Sequence, residues 1–237
     1  MPIDPSSLVV RNLTRPELDV AVEWAAAEGW NPGLHDADAF WNTDPKGFLG
    51  IEDGGELIAT GSVVRYDPSY GFMGFFIVRP DLRGQGIGTR LWVHRRDHLR
   101  ARLGPDGAIG MDGVFAMQDW YARGGFSFSH RNLRMAGTAH ARGSSPHVVA
   151  LGAVPTPDLL AYDHACFGCP REHFLASWLA LPESHALAAV TANRLAGYGV
   201  VRRCREGHKI GPLYADSPEL AEELLAALVS RIAGEPF

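Results

Sequence analysis

Residues 71–99 read GFMGFFIVRPDLRGQGIGTRLWVHRRDHL, an order that few folds accommodate. The nearly unbroken apolar run Phe72–Val78 predicts a buried strand. Arg79-Pro80 ends it, because proline has no N–H to give to a ladder. Arg83-Gly84-Gln85-Gly86-Ile87-Gly88 follows, and Thr89 opens a helix. Leu91, Trp92, Leu99 and Leu103 recur on that helix at core spacing, with Arg95, Arg96, Asp97 and Arg100 as its expected polar face. Glycines let successive N–H groups converge on one point, and a helix N-terminus adds unpaired N–H groups and the positive end of the dipole. The turn therefore reads as an anion site suited to a pyrophosphate, with Arg83 as a fixed charge; the alternative is a glycine-rich surface turn without a ligand. No Gly-Lys-Ser/Thr is present, which excludes a P-loop, and the third glycine of a dinucleotide fingerprint would fall on Leu91.

Composition bounds what surrounds this unit. The 237 residues suffice for one large domain or two small ones, and 46% hydrophobic with 21% charged residues is ordinary for a globular chain. No apolar run approaches the roughly 20 residues that span a bilayer, and the N-terminus shows no signal-peptide pattern. A net charge of −5 argues against nucleic acid and is compatible with a cationic amine. Three cysteines, Cys166, Cys169 and Cys204, suggest a reducing, cytoplasmic setting. Cys166-x-x-Cys169 with Cys204-x-x-x-His208 has the ligand count of a structural zinc site. Its halves fall in different kinds of element, so no metal is expected. His94 and His98 share a helix face without a metalloprotease glutamate, and read as a solvated basic face.

The N-terminal half gives a consistent order of elements. Leu8–Val10 predicts a strand, and Thr14-x-x-Glu17 with Pro16 predicts a capped helix ending near Gly29. Asp36–Trp41 predicts a second, short helix. Phe48–Glu52 and Leu57–Arg65 predict strands joined by the hairpin signal Asp53-Gly54-Gly55. After the organising strand and helix, Ala108–Phe115 predicts a strand, Gln118–Arg123 a short helix, and Phe126–Arg134 the last strands.

Val78-x-Pro80-x-x-Arg83-Gly84-x-Gly86-x-Gly88 resembles the acyl-CoA pyrophosphate loop of the GNAT superfamily of N-acetyltransferases, and the order of elements through about residue 136 is similar to that superfamily's core. The resemblance implies an α+β fold: a mixed, mostly antiparallel sheet flanked by helices. It implies acetyl-CoA as co-substrate, held by Phe76, Ile77 and Val78 of a splayed strand and by Arg83, Gly84, Gln85, Gly86, Ile87, Gly88 and Thr89. Gln118–Phe126 resembles the superfamily's helix ending in Tyr-x-x-x-Gly-Phe, which makes Tyr121 the expected general acid at the departing sulfur. Val78 N–H is the candidate donor to the thioester oxygen. Asp112 is the candidate base, with Glu52 and Asp36 as alternatives. Trp30-Asn31-Pro32-Gly33 sits where the superfamily closes its acceptor cleft, so Trp30, Asn31 and Asp36 are candidate substrate contacts.

The C-terminal half repeats the order. Residues 139–146 (RGSSP at 142–146) read as a linker between a catalytic domain, 1–138, and a second domain, 147–237. His147–Leu151 predicts a strand, Thr156 onward and Arg171–Leu181 two helices, Ala186–Val190, Leu195–Arg203 and Lys209–Tyr214 three strands, and Ser217-Pro218-Glu219 caps a final helix. Where the glycine loop should recur stands Gly211-Pro212-Leu213-Tyr214-Ala215-Asp216-Ser217. One CoA site is therefore expected, in a protein that resembles two-module bacterial GNATs with a degenerate second module; the repeat stops at Gly234-Glu235-Pro236-Phe237, either by truncation or because the module is incomplete. That module is expected to wall the acceptor cleft, with Asp163, Arg171 and Tyr198 as candidate contacts. The leading expectation is acetyl transfer to the amine of a small molecule, with no nucleic-acid or membrane partner and room for a homodimer. The alternatives are a non-catalytic acyl-CoA sensor and a protein-lysine acetyltransferase.

Overall fold

The computed structural model describes residues 4–141, 143 and 145–237; residues 142 and 144 of the expected linker lie outside the described residues. Two sheets organise the chain. The first has the order β1-β2-β3-β4-β5, from Val10–Asn12, Phe48–Asp53, Glu56–Asp67, Tyr70–Val78 and Ala108–Met111. Its first four strands are antiparallel and β5 runs parallel to β4. Helices α1 (Arg15–Ala27) and α2 (Asp36–Thr43) lie against one face, where Leu13, Leu18, Ala21, Phe48 and Val64 pack. Helix α3 (Ile87–Arg100) covers the other face through Ile87, Leu91, Trp92 and Leu99. The second sheet, β6-β7-β8-β9, is formed by Val148–Ala150, Ser184–Thr191, Arg194–Arg203 and His208–Ala215. Helices α5 (Thr156–Phe167) and α6 (Glu172–Leu179) take one face and α7 (Pro218–Ser230) the other. The fold is thus the expected α+β arrangement, made twice.

Local chemistry accounts for the boundaries. Thr14 and Glu17 form the capping box at α1, with Pro16 inside the first turn. Gly54 and Gly55, both at positive φ (59° and 88°), close the β2–β3 hairpin in the conformation that a two-residue turn needs. Between Thr60↔Ile77 and Ser62↔Gly74, β4 carries one residue more than β3. This is a β-bulge, and Phe75 sits in it at φ 49°, a rare conformation for a bulky residue.

Four expectations are corrected. The first strand begins at Val10; Pro5–Ser7 form a 3₁₀ turn capped by Asp4. Strand β5 ends at Met111, not Phe115, because the chain turns into a 3₁₀ turn at Phe115–Met117 and then α4 (Gln118–Arg123). Phe126–Arg134 forms no strand, and Phe128 and Leu133 are 69% and 85% exposed. Alternating apolar residues specify a face but not a partner, and four-residue β5 offers little edge to pair with. Arg95, expected on the polar face of α3, is 1% exposed.

The two halves are joined by a seam of both kinds of contact. Phe40 of α2 packs against Phe174 and Trp178 of α6, with ring centroids 5.3 and 5.8 Å apart. Tyr66 of β3 meets Phe167 and Phe174 edge-on. Around them the Trp30–Leu34 turn is laced to the β8–β9 hairpin: Gly33 bridges Cys204, Leu34 N–H donates to Arg203 O, and Arg205 N–H donates to Pro32 O. Gly137–Ala139 pairs in turn with Glu235–Phe237, and Ala139 is buried in the second core.

Candidate functional site

The parallel ladder between β4 and β5 runs only from Tyr70↔Ala108 to Met73↔Met111. Beyond Met73 comes the bulge, and the two strands part. Arg79 N–H donates to Ile58 O on the β3 side. Alternation along an antiparallel ladder then gives Ile77 to β3 and turns the N–H and C=O groups of Phe76 and Val78 toward the gap. A strand with backbone groups facing a gap can pair with an extended ligand as it would with another strand.

The glycine loop stands at the open end of this gap. Gly84 and Gly86 have φ of 78° and 83°, which glycine adopts without strain. Gly86 is the N-cap of α3, one position before Ile87 rather than at Thr89 as expected, and no side chain caps the helix there. The first-turn N–H groups of α3 therefore face the loop with the positive end of its dipole. A Cβ at Gly88 would lie 3.3–3.4 Å from Phe76 and Val78, so a bare glycine lets the loop lie close on β4. Arg83 braces the loop: its Nε donates to Val78 O at 2.9 Å, and its guanidinium pairs with Glu28 at the end of α1. These features suit the pyrophosphate and pantetheine of an acyl-CoA.

Tyr121 and Asp112 come to the same end of β5. The Tyr121 ring packs on the backbone at Gly113 and lies 5.3 Å from Trp92 and 5.6 Å from Trp120. Burial raises its phenol above the ordinary tyrosine range, and the positive charge of Arg95 acts the other way. Asp112 is exposed and accepts a 2.9 Å hydrogen bond from Asn132. The two alternative bases are already paired: Glu52 with Arg11 at 2.6 Å, and Asp36 with Arg202 at 2.7 Å.

The expected acceptor contacts separate into two groups. Trp30, Asn31 and Asp36 lie in the seam. Trp30 meets Phe75 edge-on at 6.2 Å, and its carbonyl accepts from Lys209. Asn31 exchanges two hydrogen bonds with the Glu206 backbone, and Asp36 takes Arg202 with both oxygens. The side chains of Asn31 and Asp36 thus tie the halves together. Asp163, Arg171 and Tyr198 form a separate buried cluster inside the second half. Arg171 grips Asp163 at 2.6 and 2.8 Å, Tyr198 donates to the same carboxylate, and the Arg171 guanidinium lies 3.7 Å from the centre of the Phe167 ring. At 1%, 8% and 0% exposure they form a charged core rather than a surface for an acceptor.

Cys169 and Cys204 are buried and Cys166 is exposed, and among the described residues no three His, Cys, Asp or Glu side chains gather to hold a metal. No helix among them is long and apolar enough to cross a membrane.

Comparison with known proteins follows the same division. The model of the acetyltransferase (GNAT) family matches residues 11–126, and an acetyltransferase (GNAT) domain model matches residues 159–237. Holothin acyltransferase of Pseudoalteromonas sp. (strain SANK 73390) is 29% identical over 217 residues, covering 91% of this chain and 72% of that protein. A crystal structure from Pyrococcus horikoshii, of a protein assigned as an acetyltransferase, superposes with a TM-score of 0.79 at 21% identity, over 97% of this chain and 78% of that one. A tandem GNAT protein from the clavulanic acid biosynthesis pathway superposes with a TM-score of 0.55 at 16% identity, over 95% and 86% of the two chains. At those identities the structures establish a shared fold. With each half matched by its own GNAT model and the length overlaid on a tandem member, the chain belongs to the GNAT acyltransferases, as a two-module protein of that superfamily.

Proposed function

We propose that the chain transfers an acetyl group from acetyl-CoA to the amine of a small molecule, in a single donor site in its N-terminal half. The observation that carries this reading is the splay of β4 from β5 opposite an uncapped, glycine-lined helix N-terminus. We assign the catalytic module to 1–138 and the wall of the acceptor cleft to the module at 147–237. The likeness to a protein named for acylating holothin supports a small-molecule acceptor.

In this reading the backbone of Gly84–Thr89 holds the pyrophosphate, with the charge of Arg83 beside it. Phe76 and Val78 pair with the pantetheine arm, and Ile77 anchors the strand to β3. The amine nitrogen attacks the thioester carbon, a C–N bond forms, and the C–S bond breaks. Val78 N–H donates to the oxygen that gains charge. The amine's proton passes to Asp112, directly or through water, and Tyr121 gives its phenol proton to the departing sulfur. A phenol kept protonated by burial is suited to that last step.

Amine-dependent release of CoA from acetyl-CoA tests the reading, with polyamines, amino sugars, amino acids, aminoglycosides and lysine peptides as acceptors and Tyr121→Phe beside the wild type. Turnover with one small-amine class, reduced in Tyr121→Phe, is expected. Binding of acetyl-CoA without turnover would replace the enzyme with a sensor, and preference for lysine peptides would replace the acceptor class.

A further inference from the structure

Arg95 is a buried cation with no ion-pair partner among the described residues. It projects from α3 into the sheet where β3 has a glycine: a Cβ on Gly61 would lie 2.5–2.6 Å from Nε, Cδ and Cζ of Arg95. Its Nη2 donates to Ser62 O at 2.7 Å and Gly74 O at 2.8 Å, the two residues paired at the edge of the β4 bulge. Nε and Nη1 are buried without a hydrogen-bond partner among the described residues. The guanidinium lies 5.0 Å from the centre of the Phe76 ring, whose backbone faces the gap between β4 and β5. A buried cation with open donors is costly, and a core that needed only volume would carry an apolar side chain here.

We propose that Arg95 is a positioning residue for acyl transfer: its Nη2 bridge holds the β4 bulge that aims the Phe76 and Val78 N–H groups into the donor cleft, and its guanidinium supplies positive potential beneath that cleft for the charge that develops at the thioester and at Tyr121. The inference rests on the donor-cleft reading above. The bulge is where a one-residue insertion reverses which backbone groups face the gap, so whatever fixes the bulge fixes the aim of those donors. The Ser62 and Gly74 carbonyls are both held by one nitrogen, Nη2, of a rigid, planar group. Low dielectric around the guanidinium lets its charge act over several ångströms.

The electrostatic part has a titration signature. Burial works against the Arg95 charge and the Tyr121 phenol acts in the opposite direction, but a guanidinium stays protonated through the range in which Tyr121 titrates. Of the other charged groups near Tyr121, Asp119 and Arg123 lie on its own helix, and Asp112, held by Asn132, lies after β5. From α3, Arg96 and Asp97 pair with each other on the outer face, with His94 and His98 beyond them. From β2, Glu52 is paired with Arg11. From β4, Tyr70 is the titratable group.

The test uses the full chain with Arg95→Met and Arg95→Lys, acetyl-CoA, and the best amine from the acceptor screen. Tyr121 is followed by NMR in protein carrying 13Cζ-labelled tyrosine, with Tyr121→Phe identifying its signal. Arg95→Met is expected to lower kcat about tenfold or more and also to raise KM for acetyl-CoA, because the Phe76 and Val78 backbone holds the pantetheine arm. The Tyr121 titration is expected to move up by roughly one pH unit. Arg95→Lys can still donate to both carbonyls from its one nitrogen but is neutral where Tyr121 titrates, so its Tyr121 titration is expected to move up as in Arg95→Met while kcat falls less. Unchanged kcat and unchanged Tyr121 titration in whichever of the two variants folds overturns the proposal. Full activity in Tyr121→Phe removes the acid from the mechanism; a loss of kcat in Arg95→Met alongside it then upholds the bulge-holding role by itself.

Discussion

The glycine loop before α3 and the turn before α7 occupy the same place in the two modules and differ in what is done with the helix N-terminus. At α3 the N-cap is Gly86 in a left-handed conformation, no side chain caps the helix, and the loop lies beside a strand parted from its neighbour. At α7 the N-cap is Ser217, whose Oγ accepts from Leu220 N–H at 3.3 Å, with Pro218 in the first turn. Beside it Asp216 is held by Tyr162 and Arg194. The second terminus is satisfied from within and faces carboxylates; the first is left for an anion. The single donor site we propose follows from that difference: a capping hydroxyl in one copy stands where bare backbone stands in the other.

Breaking the second module should have the largest energetic effect. Asp163→Ala leaves Arg171 buried without its carboxylate and Tyr198 without its acceptor. Urea denaturation is expected to show about 3–5 kcal/mol of lost stability. Gly86→Val should act instead on the donor site. Valine is strained at φ 83°, and the loop can no longer present its N–H groups. Acetyl-CoA affinity by calorimetry is expected to fall by roughly 10–100-fold, the worth of about one charge-assisted hydrogen bond or slightly more. Ser217→Ala, at the matching position, should cost about 1 kcal/mol of stability and leave acetyl-CoA affinity unchanged.

The smallest effect sharpens the comparison at the other helices. Arg11, with help from Thr14, holds the Glu17 carboxylate down to about 2 in the α1 cap, whereas α5 begins at Pro155 with no side-chain cap. A carboxylate lowered in the folded state stabilises above its ordinary range, about 4.5, and loses that contribution as pH falls toward about 2. After screening of this partly exposed pair the effect is under about 1 kcal/mol. A melting-temperature series across that range should be flatter for Glu17→Gln.

Much of this architecture was legible in the chain because the signals were local. The capping box at Thr14, the Gly54-Gly55 turn and the strand–glycine–helix unit each depend on neighbouring residues, and each lies where their chemistry puts it. Contacts distant in sequence were not legible. Asn31 and Asp36 read as free polar groups near a cleft, yet their partners Glu206 and Arg202 stand more than 160 positions away. Asp163, Arg171 and Tyr198 read as acceptor contacts, because nothing local shows that the fold closes them into one buried cluster. Arg95 had a signal that its charge hid: it falls three residues after Trp92 and four before Leu99, on the buried stripe of α3, with Gly61 opposite. Phe126–Arg134 shows the converse, a strand pattern without a strand to pair with.

The stoichiometry and location of acetyl-CoA binding test the central claim most directly. Isothermal titration of the wild-type chain is predicted to give one acetyl-CoA per chain, with binding weakened by Gly86→Val and untouched by Ser217→Ala. Two equivalents per chain, or binding that survives Gly86→Val and is lost in Ser217→Ala, would contradict it.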